Sequence, residues 1–333
     1  MSEYLTITSE IIAHANTVED SLPIRNDSCR SKFFFHPNIT SKVCLFFHGF
    51  TAAPYQFEPL GQVLFKAGYN VLIPLLPGHG IAGDWDRENP PPLPIDRKVY
   101  ERFALSWLEV AKKLGNEVII GGLSGGATLA AWLAIERRQE IEKALLFACY
   151  LSSNKFILDF FVKILPVYFE WQNKDDREPI GYPGFRIPEL RVFLDMGKEI
   201  LDRVQNEDTA PMFLIYSETD EGVDQNELKF LFKATVRQEP KCWQYIFDKI
   251  FEIPHTMMTI EEGNQYENLL VAIAQAYVDS DITWDELREI GYEILQGNSF
   301  DAAVNSLNLT GKVSPNVAIL LTAMENKTII DGW

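Results

Sequence analysis

The ten residues Val118 to Ala127, Val-Ile-Ile-Gly-Gly-Leu-Ser-Gly-Gly-Ala, constrain this chain more than any other segment. An apolar run passes into a glycine-rich turn, and an alanine-rich stretch leaves it. The middle of the run, Gly122-Leu123-Ser124-Gly125-Gly126, fits G-x-S-x-G, the pattern of a sharp strand-to-helix elbow with a serine at its apex. Such a serine is held in strained backbone, with its hydroxyl pushed out of the sheet. Residues two before and two after it must be small, or strand and helix collide; Gly122 and Gly126 meet that demand. The same letters also suit a plain turn whose serine caps a helix. The setting favours the elbow: Glu117 to Gly121 has the length of a buried strand, and Ala127 to Glu136 is rich in helix formers.

With 333 residues, 47% of them hydrophobic, the chain can build one large core with additions. Twenty-two phenylalanines, 12 tyrosines and 7 tryptophans exclude a disordered protein. A formal net charge of −17 repels phosphate backbones and anionic headgroups, so nucleic acid is not expected as a partner. Met1 to Glu10 has neither the basic nor the apolar region of a signal peptide, and no apolar run reaches membrane-spanning length. Cys29, Cys44, Cys149 and Cys242 are widely spaced, with Cys44 and Cys149 inside apolar runs. They read as reduced thiols, and a cytoplasmic location is expected.

Along the chain, strand-like runs alternate with helical patterns. Strands are expected at Phe33–Phe35 (an edge), Val43–His48, Asn70–Leu76, the elbow strand, Ala144–Tyr150, Pro211–Ser217 and Tyr245–Ile253. Helical spacing marks Phe57–Ala67, Lys98–Leu114, Asp224–Thr235 and Glu267–Val278. This predicts an α/β fold, a mostly parallel sheet covered by helices on both faces, with chemistry at the carboxyl ends of the strands. Residues 1–150 and 211–280 form the two parts of this core. Between them, Leu151 to Ala210 is far longer than an ordinary connection of about 4–6 residues. It carries Phe156, Phe160, Phe161, Tyr168, Phe169, Trp171, Tyr182 and Phe185, and is expected to be a helical cap whose aromatics line an apolar pocket. Residues 281–333 form a C-terminal helical appendage. Thr283 and Glu286 make a capping box, Trp284, Leu287, Ile294 and Leu295 mark an apolar face, and Ser314-Pro315 opens a further helix. The appendage either packs on the core or serves as a homo-oligomer contact.

A serine hydroxyl needs a base to become a nucleophile, and the base needs an orienting acid. After an elbow of this type the order is serine, acid, histidine. Of five histidines, only His255 follows Ser124, just past the last expected strand. The acid belongs in the loop after Met212–Tyr216, where Asp220 and Asp224 compete. Asp224 stands three residues before Glu227 at a helix start, which is capping logic, so Asp220 is preferred. Two backbone N–H groups must face the oxyanion. Gly125 supplies one. The loop His48-Gly49-Phe50-Thr51 supplies the other through Phe50, while His48 reads as a structural loop residue.

Taken in order, Phe46-Phe47-His48-Gly49-Phe50-Thr51, Leu76-Pro77-Gly78-His79-Gly80, Gly121 to Gly126, the Asp220 loop and Pro254-His255 resemble the α/β-hydrolase superfamily, nearest to carboxylesterases and monoacylglycerol-lipase-like enzymes. The resemblance implies the α/β-hydrolase fold, an oxyanion donor at Phe50 and an architectural role for His79. It also implies a serine hydrolase that cleaves small-molecule carboxylic esters through an acyl-enzyme, with no metal or cofactor. The aromatic cap suggests an apolar acyl group. Gly125 departs from the family, which often has Met or Leu after the serine. The same serine, acid and histidine would also suit a thioesterase, an amidase, a carbon–carbon hydrolase, or a ligand-binding homologue without catalysis.

Overall fold

A computed structural model describes residues 3–152, 168–171 and 180–324. Its centre is a seven-stranded sheet. In chain order the strands are β1 (Lys32–Phe34), β2 (Lys42–Phe47), β3 (Asn70–Ile73), β4 (Glu117–Leu123), β5 (Lys143–Phe147), β8 (Met212–Ser217) and β9 (Trp243–Phe247), and their spatial order is β1-β3-β2-β4-β5-β8-β9. Only β1 runs antiparallel, against β3 at the edge. All other pairs are parallel. β2, β4, β5 and β8 are buried almost throughout, which is why they read as unbroken apolar runs rather than alternating ones.

Several elements stop earlier than their sequence suggests, each for a local reason. β3 ends at Ile73 because Pro74 has no N–H for the ladder. β5 ends before Ala148, whose φ is 42°. β9 ends at Phe247, where Asp248 accepts from the Ile250 N–H and opens a 3-10 turn.

The helices fall into two groups. α3 (Arg97–Lys112), α4 (Gly125–Glu136), α5 (Ile187–Arg203) and α6 (Gln225–Gln238) pack in succession, with α4 against β4, β5 and β2. α2 (Glu58–Lys66) and α7 (Glu267–Val278) pack on each other, and α2 also covers β1 and β3. α4 is buried along nearly its whole length.

The N-terminal helix α1 (Glu3–Asp20) has no counterpart in the sequence reading. Its inward residues are Tyr4, Thr8, Ala15 and Glu19, two of them polar, so no apolar stripe announces it. Glu19 is held by the Ser31 backbone N–H and hydroxyl.

Within the expected cap, Phe156, Phe160 and Phe161 lie outside the described residues. The described part contains a short antiparallel ribbon, β6 (Tyr168–Glu170) with β7 (Gly184–Arg186), and then α5. In the tail, α8 (Trp284–Leu295), α9 (Phe300–Ser306) and α10 (Val317–Met324) follow α7. The Thr283–Glu286 capping box is formed. The inward face of α8 is Trp284, Leu287 and Ile290, whereas Leu295 is 45% exposed. α10 begins two residues after Pro315, with the Val317 N–H donating to the Ser314 carbonyl at 3.0 Å. The tail is joined to the sheet edge. Trp284 stacks edge-on against Phe232 at 5.2 Å, and the Trp243 indole donates to the Ile282 carbonyl. Among the described residues no helix is long and apolar enough to cross a membrane. All four cysteines are buried free thiols.

Candidate active site

Four parallel strands bring the site together at their carboxyl ends. β4 delivers Ser124, β2 the loop His48–Thr51, β8 the Asp220 loop and β9 the segment holding His255. Ser124 has φ 54° and ψ −118°, a conformation an L-residue adopts only when its surroundings enforce it. Its N–H donates to the Phe147 carbonyl at 2.9 Å, and its own carbonyl accepts from the Thr128 N–H at 3.0 Å.

The glycines make this possible. A Cβ on Gly122 would lie 2.2 Å from the Gly126 carbonyl group, and one on Gly126 would lie 2.2 Å from the Phe47 carbonyl oxygen. Gly126→Ala is therefore expected to cost about 3 kcal/mol or more, because the added methyl meets backbone that cannot yield. Gly297→Ala, where nothing lies within 4 Å, carries only the strain of its φ of 95°. Urea unfolding of the two variants checks the ranking.

The predicted side chains form a hydrogen-bonded chain. His255 Nε2 is 2.8 Å from Ser124 Oγ, and His255 Nδ1 is 2.8 Å from Asp220 Oδ2. Asp220 is buried and also accepts the Gly222 N–H at 2.7 Å. Thr219 donates to the Ile253 carbonyl, tying the acid loop to the histidine segment. Burial works to lower the basicity of His255, but the Asp220 charge and hydrogen bond outweigh it, and the imidazole is held above its ordinary value. Asp224 is elsewhere. It caps α6, accepting from the N–H groups of Asn226 and Glu227.

Gly125 is the first residue of α4, so its N–H has no partner within the helix. The Phe50 amide is similarly placed. The Thr51 N–H goes to His79 Nε2 (3.1 Å), the Gly49 N–H to Gln56 Oε1 (2.8 Å) and the Ala52 N–H to the Gly49 carbonyl (3.0 Å). Among the described residues the Phe50 N–H has no acceptor. Its direction is restrained in part from within the loop. The Gly49 carbonyl, on the far side of the same planar peptide, accepts from both Ala52 and His48 Nδ1 (2.9 Å).

His48 and His79 serve as neutral braces. Each donates from Nδ1 to a backbone carbonyl and accepts a backbone N–H at Nε2, His48 from Leu76 and His79 from Thr51. Burial holds both below their ordinary basicity, His79 at about 4.

Three features of this site were not found by sequence reasoning. Phe193 of α5 is fully buried, and a Cβ on Gly125 would approach its ring to 3.2 Å. The unusual glycine after the serine was the signal: it makes room for this ring. Thr51 has a φ of 67° and is clamped at several points. Its carbonyl accepts the Tyr182 N–H (2.8 Å), its hydroxyl accepts the Trp171 indole N–H (2.9 Å), and Gly181 packs too closely on it for any side chain. Gln56 and Glu262 are the third, and no motif marks either. Phe50 itself packs edge-on to Phe185 (5.1 Å) and Phe193 (5.5 Å), so aromatic rings surround the serine's neighbourhood. Among the described residues no three His, Cys, Asp or Glu side chains converge as a metal ion would need.

The chain has relatives. A sequence model described as the Alpha/beta hydrolase family matches residues 44–280. The chain is 37% identical over 96 residues to a protein named thermostable monoacylglycerol lipase from Bacillus sp. (strain H-257), covering 27% of this chain and 34% of that one. It is 30% identical over 130 residues to a protein named putative esterase/lipase 3 from Mycoplasma pneumoniae, covering 38% of this chain and 44% of that one. The matches thus span less than half the length of either relative. Among solved structures, one described with the metagenome-derived lipolytic enzymes LipS and LipT superimposes with a TM-score of 0.60 at 15% identity, covering 76% of this chain and 98% of that one. The monoacylglycerol lipase of Paleococcus ferrophilus gives 0.56 at 17% identity, covering 74% and 97%. At such identities these two speak for the fold alone. The matched span runs from inside β2 to just past α7 and takes in every strand end that carries the site. The chain belongs to the alpha/beta hydrolase family.

Proposed function

We propose that this protein is a serine hydrolase that cleaves carboxylic esters. The observation that carries the reading is the continuous hydrogen-bonded chain Ser124–His255–Asp220, with both links at 2.8 Å. Ser124 Oγ attacks the ester carbonyl while His255 Nε2 takes its proton. The negative charge that develops on the carbonyl oxygen is met by the Gly125 and Phe50 N–H groups. The imidazolium returns the proton to the leaving alcohol, and Asp220 fixes the tautomer and stabilises that cation. Water, deprotonated by His255, then cleaves the acyl-enzyme.

The substrate is a small ester with an apolar acyl group. The aromatic surroundings formed by Phe50, Phe185 and Phe193 support this, the last two coming from the described part of the cap, residues 168–171 and 180–210. The relatives named monoacylglycerol lipase and putative esterase/lipase support the same class. A fluorophosphonate probe should label the wild-type protein and leave Ser124→Ala unlabelled. A panel of p-nitrophenyl esters should show a preference for apolar chains of short or medium length over acetyl or charged acyl groups. Absence of Ser124-dependent labelling would sink the reading. Labelling with preference for thioester or amide substrates would move it to another reaction of the same serine.

A further inference from the structure

The Phe50 amide depends on more than its own loop. On one side, Gly49 donates its N–H to Gln56 Oε1 at 2.8 Å. Gln56 is fully buried, so this acceptor does not exchange with water. A primary amide has two nearly isosteric ends, and either can face Gly49 unless something fixes the flip. Glu262 fixes it. The Gln56 Nε2 donates to Glu262 Oε1 at 2.7 Å, and the same oxygen takes the Tyr55 hydroxyl, so Oε1 is an acceptor whether or not Oε2 carries a proton. With its NH2 end committed to Glu262, Gln56 must turn its oxygen to Gly49. The opposite flip would set two donors against each other at Gly49 and leave the carboxylate facing another oxygen.

Glu262 is itself held firmly. Its Oε1 also accepts from the Tyr55 hydroxyl at 2.7 Å, its Oε2 accepts from Thr259 at 3.3 Å, and its backbone carbonyl accepts from Thr256 at 3.4 Å. No lysine or arginine of the described residues pairs with it. Burial pushes its carboxyl up to about 7. Glu262 is half-buried, and its side-chain oxygens are taken up by Gln56, Tyr55 and Thr259 rather than by a lysine or arginine. Thr256 directly follows His255. Glu262 is therefore one residue that grips both the segment of the general base and the loop of the oxyanion donor.

We propose that Glu262, acting through Gln56, is a positioning residue that aims the Phe50 amide at the oxyanion. This inference rests on the serine-hydrolase reading above. It touches neither substrate nor Ser124, so its loss changes the stabilisation of charge in the transition state and leaves ground-state binding intact. A misaimed donor costs about ten- to a hundredfold in rate.

The test uses the full chain, with active sites counted by fluorophosphonate titration and a p-nitrophenyl ester as substrate. Glu262→Leu should lower kcat per titrated site by about ten- to a hundredfold with KM within about twofold of wild type. Glu262→Gln, whose Oε1 can still accept from Gln56 and Tyr55, should restore most of the rate. The double variant Gln56→Leu/Glu262→Leu should be no slower than Gln56→Leu alone, because both substitutions break one chain of contacts. A raised KM with unchanged kcat, a Glu262→Gln variant as slow as Glu262→Leu, or multiplicative losses in the double variant would each overturn the proposal. Should Glu262→Leu fail to fold, Gln56→Leu decides alone: kcat must fall with KM unchanged. If the wild type neither labels nor turns over ester, the hydrolase reading fails and this inference falls with it. An active wild type with an unaffected Glu262→Leu removes the inference only.

Discussion

His255→Ala is expected to reduce ester turnover by about a million-fold, a loss of roughly 8 kcal/mol of transition-state stabilisation. The size follows from the unit the residue belongs to. Among the described residues Ser124 Oγ has one base within reach, His255 Nε2 at 2.8 Å. Without it the hydroxyl proton has nowhere to go at neutral pH, and the leaving alkoxide has no proton donor. The neighbouring imidazoles cannot substitute. His48 and His79 are locked into backbone bonds at both ring nitrogens. Because the three residues act together, Ser124→Ala and the double variant Ser124→Ala/His255→Ala should be as inactive as His255→Ala, not more so. Residual catalysis over water, from the N–H donors and binding, is about 10³–10⁴-fold. Initial rates on a p-nitrophenyl ester at high enzyme concentration measure all three. A His255→Ala loss under about a hundredfold would show that another group serves as base.

Asp220→Asn is expected to lower kcat by about 10⁴-fold and to move the acid limb of the pH profile to lower pH. An amide in place of the carboxylate can donate to Nδ1 and so stabilise the wrong tautomer, with the proton on Nε2 where the base should be free. It also removes the charge that supports the imidazolium. The direction of the pH effect follows from the balance at His255. Burial lowers its basicity, and the Asp220 charge and hydrogen bond more than reverse this. Only the neutral imidazole can take the serine proton. Wild-type activity should therefore rise as pH increases through a value above the ordinary 6.5. Without the charge, burial prevails and the limb shifts down. The same raised value makes the His255–Asp220 pair contribute to stability fully below the unfolded value. That contribution disappears as pH climbs through the folded one. An acid limb of Asp220→Asn at or above that of wild type would contradict this account.

Much of the architecture could be read from periodicity because the sheet is parallel and buried. Val43 to Phe47, Val118 to Ile120 and Phe213 to Tyr216 are continuous apolar runs, since both faces of the sheet are covered. The edges were harder to place. α1 presents Thr8 and Glu19 inward, and its buried positions are held by polar contacts that a hydrophobic pattern does not register. In α8 the apolar letter at Leu295 suggests a wider inward face than the one that packs: Trp284, Leu287, Ile290 and the half-buried Ile294 meet the core, while Leu295 is exposed.

The elbow, its serine and the histidine that meets it are legible in the letters alone. Gly122 and Gly126 are demanded by a crossing of backbones within a few residues, and His255 is the one histidine after Ser124. Those are constraints of local sterics and chain order, and local letters carry them. What holds the Phe50 amide in place emerges from contacts between segments far apart in the chain. Glu262 reaches Gln56 across 206 residues of chain, Trp171 reaches Thr51 across 120, and Phe193 fills the space that Gly125 leaves open. A side chain's partner at such separation is set by how strands and loops stack in space. Nothing in the neighbouring residues specifies it, so a half-buried glutamate in a loop acquires meaning only when the donors around it are seen together.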